Sequence, residues 1–85
     1  MKNEQEYRID LALPLLIITV PKGILACGYL NIETFNTTGE ACAIVSGVSD
    51  FDDMRKALVK DVSLEAAKLG VEIGETGESA LKKMS

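Results

Sequence analysis

Cys27, Gly28 and Tyr29 close an apolar run and are followed at once by Asn31 and Glu33, in the stretch ACGYLNIET. A thiol acts as a nucleophile through its thiolate, and the positive end of a helix dipole favours that ionisation. Cys27 lies four residues before Asn31, a favoured helix N-cap, so a strand running directly into a helix would bring the thiol near such an end. The chain contains no histidine to act as a base, and cysteine is also a common small core residue. Glycine inside a strand marks a bulge or a close backbone approach, and a buried tyrosine hydroxyl needs a partner. Cys27, Gly28, Tyr29, Asn31 and Glu33 therefore form one candidate pocket, with packing as the competing explanation. Cys42 carries the same core reading and a weaker case for chemistry.

A second candidate is an anion loop formed by Ser46, Gly47 and Ser49 in SGVSDFDD, where a glycine turn leads from a strand into a helix start. Asp50, Asp52 and Asp53 would repel an anion there, so helix capping competes with binding. GETGES lacks the lysine of a phosphate loop and carries Glu75 and Glu78. Glu33 and Glu40 flank one short helical segment and can be read as a carboxylate pair or as solvated charges. No cofactor motif emerges. With two cysteines, no C-x-x-C and no histidine, a structural zinc site within one chain is not expected.

The elements that must position these residues follow from periodicity. YRIDLAL alternates, with Tyr7, Ile9, Leu11 and Leu13 against Arg8, Asp10 and Ala12, as in a half-buried strand that Pro14 ends or kinks. LLIITV and ILACGYL flank Pro21-Lys22-Gly23, which predicts a hairpin with a type I turn and a left-handed glycine bulge. NIETFNTTG predicts a short helix capped by Asn31 and stopped by Gly39. EACAIVSG is a fourth strand. Phe51, Met54, Leu58, Val62, Ala66 and Leu69 recur every three or four residues and predict one long helix over residues 50–69, capped by Ser49 and ended by Gly70. Thr76 caps a last short helix in GESALKKM. The sum is a single α+β domain over residues 1–85, with a largely antiparallel four-stranded sheet, one long helix and two short ones.

Both faces of the central strands are apolar, whereas an antiparallel sheet with one wet face alternates. Along residues 15–20, Leu16, Ile18 and Val20 oppose Leu15, Ile17 and Thr19. Three helices cannot cover both faces of four strands. The uncovered hairpin face is expected to pack on another copy, making residues 6–30 an oligomerisation region and residues 31–85 a helix-strand-helix region. The alternative is a sheet curled enough to bury both faces within one chain. A chain of 85 residues buries only about 60–65% of its surface alone, which favours association.

Composition excludes some partners. Net charge is −4, with no basic cluster for nucleic acid. Pro14 and Pro21-Lys22-Gly23 break the apolar stretch of residues 11–30 well short of the roughly 20 residues a membrane span needs. MKNEQEYRID lacks the charge pattern of a secretory signal, which points to the cytoplasm, where thiols stay reduced and a Cys27–Cys42 disulfide is not expected.

Three segments, LPLLIITVPKGILACGYLNIET, GEACAIVSGVSDFDDM and LGVEIGETGESAL, closely resemble the YunC-like domain-of-unknown-function family of small bacterial and archaeal proteins. The resemblance spans residues 13–81 and centres on KG-x-L-x-CGYL-[DN]-IE, with Asn31 where Asp is common. It implies an N-terminal β region used for oligomerisation, with a tetramer favoured, and it supplies no catalytic residues. The expectation is an uncharacterised cytoplasmic homo-oligomer acting as a binding or structural module. The alternative is a small enzyme or redox-responsive protein with its pocket around Cys27, Tyr29, Asn31 and Glu33.

Overall fold

The alternation of Tyr7 and Ile9 with Arg8 and Asp10 becomes strand β1 (Gln5–Asp10) in the computed structural model, which describes residues 4–85. Residues 1–3, the start of the stretch read as unlike a secretory signal, lie outside the described residues. Leu11, Ala12 and Leu13 bend the chain back, and Pro14 opens β2 (Pro14–Val20) directly opposite Asp10. Proline is tolerated at a strand's first residue, where it removes no interior ladder bond. Pro14 therefore starts a strand rather than ending one.

Pro21 and Lys22 then turn β2 into antiparallel β3 (Gly23–Ala26), with Val20 opposite Gly23. The predicted glycine bulge is not formed, because Gly23 is a strand residue and is not among the glycines with positive φ. Close packing explains Gly23 instead. A Cβ there would lie 2.4 Å from Sδ of Met84 and 3.1 Å from the Ala41 carbonyl oxygen. The Lys22 N–H donates to the Met84 carbonyl at 2.7 Å, so the C-terminal residues sit directly against this hairpin.

Helix α1 (Ile32–Thr38) begins as its sequence predicts, with Asn31 Oδ1 accepting the Glu33 N–H at 2.9 Å, and Gly39 ends it at φ 77°. α1 leads into β4 (Cys42–Ile44), which lies parallel to β3 with Ile24, Leu25 and Ala26 opposite Cys42, Ala43 and Ile44. A parallel pair needs a crossover, and α1 supplies it. The sheet is therefore mixed rather than largely antiparallel.

The largest departure falls in residues 50–69. In place of one long helix stand α2 (Phe51–Lys56), a two-residue strand β5 (Asp61–Val62) and α3 (Leu64–Lys68). β5 pairs antiparallel with β4, which makes five strands in the order β1-β2-β3-β4-β5. Hydrogen bonds to the edge of β4 outweigh helical continuity here: Lys60 N–H donates to the Ile44 carbonyl at 2.8 Å and Ser63 N–H to that of Cys42 at 2.9 Å. Val59, Asp61, Val62 and Ser63 are all modest helix formers, so little is lost by breaking the helix between them. Asp50, not Ser49, caps α2 by accepting the Asp53 N–H at 2.8 Å. Leu69 is the C-cap of α3 and Gly70 follows it with φ 92°. Helix α4 (Gly77–Lys83) starts at Thr76 as expected.

These elements make a mixed α+β fold of five strands and four helices among the described residues. On one sheet face Leu16, Ile18, Leu25, Ala43 and Val45 pack with Met54 of α2, Ala66 of α3 and Ala80 and Leu81 of α4. On the other, Ala26, Cys42 and Ile44 lie with Ile32 and Phe35 of α1. β3 and β4 thus bury both faces within one chain, which is the alternative the sequence left open. Part of the apolar surplus lies on the outer ribbon, and another part on Leu58, Leu64 and Ile73. Tyr7 stands opposite Ile17 and Ile9 opposite Leu15 on the α1 side of the sheet, yet Tyr7 and Ile9 are 48% and 54% exposed. β1 is exposed along its whole length, so the half-buried strand expected from its pattern is not realised in the isolated chain. Its opposite face is charged, and Arg55 of α2 pairs there with Glu4 and Glu6. No helix among the described residues is long and apolar enough to cross a membrane.

One buried hydroxyl joins three segments. Ser63 Oγ accepts the Cys42 N–H at 2.8 Å and the Ala66 N–H at 3.2 Å, and donates to the Glu40 carbonyl at 2.8 Å. Ser63→Ala removes the cap of α3 and strands a buried N–H on β4, so a loss of about 2 kcal/mol is expected in urea unfolding. A change within a few tenths of a kcal/mol would show that water replaces the hydroxyl there.

Candidate functional site

β3 and β4 run side by side in the same direction and end together. From β3 the chain leaves for α1 on one sheet face, and from β4 it leaves for α2 on the other. Where neighbouring parallel strands send their connections to opposite faces, a gap opens beyond their C-terminal ends, and open α/β sheets hold ligands in that gap. Here it is a crevice of about 480 Å³, lined by Leu13, Pro14, Cys27, Gly28, Tyr29 and residues 46–49. Topology creates it.

The two candidate sites read from the sequence thus become walls of one crevice. Cys27, Gly28 and Tyr29 follow β3, while Ser46, Gly47 and Ser49 follow β4. A Cβ added at Gly28 would lie 3.5 Å from the Ser46 Cβ, so the two walls are in ordinary van der Waals reach at that point. The Tyr29 hydroxyl accepts the Leu13 N–H at 3.1 Å, tying the bend between β1 and β2 to the end of β3. Cys27 is 4% exposed, and its Sγ accepts the Leu16 N–H at 3.3 Å. Its backbone N–H donates to the Leu16 carbonyl at 3.1 Å, which continues the β2–β3 pairing down to the crevice floor.

Asn31 and Glu33 do not line this crevice. Asn31 spends its side-chain oxygen on the α1 cap and lines a second hollow, which shares Gly28 and Tyr29 with the crevice and also holds Lys60 and Asp61. Glu33 is exposed in the first turn of α1, and Glu40 accepts the Thr38 hydroxyl at 2.7 Å; neither carboxylate lines the crevice. At the far end of the crevice the Ser49 N–H donates to Asp53 Oδ2 at 3.1 Å, so carboxylates of the α2 start already occupy part of the loop proposed for an anion.

Cys42 is a core group. Burial, reinforced by Glu40 and Asp61, pushes its thiol up to about 12. In GETGES, burial pushes the Glu75 carboxyl up, but the Ser79 hydroxyl, the Glu72 N–H and the Lys83 ammonium outweigh that and hold it below the usual carboxylate range. Glu75 fastens the turn before α4. No group of three Asp, Glu, Cys or His side chains among the described residues is placed to hold a metal ion.

Sequence reasoning missed Leu13, Pro14 and Val48 as crevice residues. Leu13 arrives through the β1–β2 bend and Val48 through the parallel β3–β4 pairing. Neither pairing leaves a local mark in the sequence. A paired reading of where both C-terminal strand ends fall was the available signal, and it required knowing that they are parallel.

The fold and its crevice define a class: a small mixed-sheet α+β protein with a pocket at the point where its connections diverge. Residues 26–84 match the family model described as a domain of unknown function, DUF1805, and the chain belongs to that family. It is similar to the crystal structure of a protein of unknown function, TA1206, from Thermoplasma acidophilum. Identity is 34%, the match covers 96% of this chain and 93% of that one, and the TM-score is 0.83. No curated protein matches the chain. Neither relationship assigns an activity.

Proposed function

We propose that the protein is a homo-oligomeric binding module that holds a small ligand in the crevice beyond β3 and β4. The observation that carries this reading is the crevice itself, which combines apolar walls with open main-chain groups at the strand ends. Its volume of about 480 Å³ is within the range of small-molecule sites. Self-association belongs to the outer ribbon, where Tyr7 and Ile9 stand exposed opposite Ile17 and Leu15 and β1 is the edge strand of the sheet among the described residues. The resemblance to YunC-like proteins supports a tetramer built on this region. Two free cysteines and an acidic composition support a cytoplasmic home.

A set of small aromatic fragments, followed through the backbone amide spectrum, tests the crevice. Shifts should concentrate at Leu13, residues 27–29 and residues 46–49. Shifts scattered over the surface, or none, would overturn the ligand reading.

A second reading, an enzyme or redox-responsive protein, is favoured by the thiol of Cys27 at the crevice floor. Iodoacetamide at neutral pH separates the two. Rapid labelling of Cys27 while Cys42 stays unmodified supports thiol chemistry, whereas equally slow labelling of both removes it.

A further inference from the structure

We propose that the crevice selects an uncharged ligand of the carboxamide class on an apolar body, in preference to a carboxylate of the same shape. This rests on the crevice being a ligand site. The main-chain N–H groups of Gly28, Ser46, Gly47 and Val48 have no hydrogen-bond partner among the described residues, although these residues line the crevice. The carbonyls of Gly28, Ser46 and Gly47 accept from no group among those residues either. Both kinds of main-chain group are unspent, and a carboxamide presents both an acceptor and a donor to them. Leu13, Pro14 and Val48 offer apolar contact to the rest of such a molecule.

Charge decides between the carboxamide and the carboxylate. Among the described residues no lysine or arginine lines the crevice. The nearest charge that the hydrogen bonds record is Asp53, whose carboxylate holds the Ser49 N–H at 3.1 Å, with Asp50 capping the same turn. A ligand carboxylate would meet like charge with no cation among the described lining residues to offset it, since Lys60 lies in the adjoining hollow beside Asp61. α2 does not reverse this: it has six residues, and Asp50, Asp52 and Asp53 already occupy its first turn and cap. An ammonium ligand would answer the aspartates but offers the unpartnered N–H groups no acceptor.

Benzamide, benzoate and benzylammonium are probes of one size that differ in charge and donor pattern. Titrated into the full-length ¹⁵N-labelled chain at neutral pH, benzamide should shift the amides of Gly28, Ser46, Gly47 and Val48 and bind roughly tenfold more tightly than benzoate. Gly28→Val should abolish those shifts by filling the space before Ser46, with far-UV circular dichroism unchanged. Benzoate or benzylammonium binding at these amides as tightly as benzamide would overturn the selectivity and leave the crevice as a ligand site. No effect of the three probes at these amides, while the aromatic fragments still shift them, would also defeat the carboxamide assignment alone. If neither the probes nor the fragments shift them, the crevice reading falls as well. Full benzamide affinity in Gly28→Val would place the binding elsewhere.

Discussion

Gly77→Ala is expected to destabilise the protein by about 3 kcal/mol or more, reversing the usual benefit of alanine in a helix. At an ordinary helical position that exchange gains up to about 1 kcal/mol, because alanine restricts the unfolded backbone and suits the helix. Gly77 opens α4 where it crosses α2. A Cβ there would fall 2.1 Å from the Met54 carbonyl oxygen, 3.1 Å from its carbonyl carbon and 3.0 Å from Cδ2 of Leu25. Two of these three atoms are backbone, so no side-chain rotation relieves the clash. The Gly77 N–H also donates to the Ala57 carbonyl at 2.8 Å, fixing the two helix ends together. Relief requires α4 to move off α2, which loosens Leu81 and Met54 in the core they share with Leu25. Chemical unfolding measures the effect directly. A midpoint equal to or above that of the parent chain would show that the helices separate without loss, and that the close crossing is not what holds this layer together.

The same crossing shows why parts of the fold were legible and others were not. Asn31, Gly39 and Thr76 act within a few residues of themselves, so their capping roles can be read from local order. Alternation in β1 is equally local. Residues 50–69 misled because two short helices, each satisfying a three-to-four spacing, look in sequence like one long helix. Ser63 held the information that would have divided them, since it is a preferred cap in the middle of the run. The parallel pairing of β3 with β4 depends on where α1 returns the chain, which no single segment records. The crevice inherits that difficulty: its two walls were each noticed as separate candidates, but only the parallel pairing unites them. Asn31 and Glu33 fall outside the crevice because the chain enters α1 at Ile32, where Asn31 is spent as the cap; Asn31 meets Gly28 and Tyr29 in the adjoining hollow instead. Gly23 and Gly77 were informative in a way that composition hides, for each marks a contact between segments distant in sequence rather than a turn.

If copies associate through β1 as proposed, Ile9→Lys should leave a folded 9.1 kDa particle. Ile9 lies opposite Leu15 on the sheet face that α1 leaves uncovered, and it belongs to neither buried cluster of the chain. Its removal therefore takes little from the fold of one copy. In an association of copies through that face, Ile9 would become buried, contributing about 1.5–3 kcal/mol for each such side chain relative to exposure. Ile9→Lys loses that contribution and sets an ammonium group against an apolar partner. A lysine on an edge strand also opposes pairing through the open edge of β1. Because closed symmetric assemblies repeat each contact, one substitution acts at least twice per interface. Together these terms should raise the dissociation constant about a thousandfold or more. Sedimentation equilibrium over a wide concentration range should give a multiple of 9.1 kDa for the parent chain and for Ile9→Val, and 9.1 kDa for Ile9→Lys. Circular dichroism should show the lysine variant still folded. A parent chain that stays at 9.1 kDa at every concentration would remove the association outright. A lysine variant with the parent's mass would move the contact away from β1.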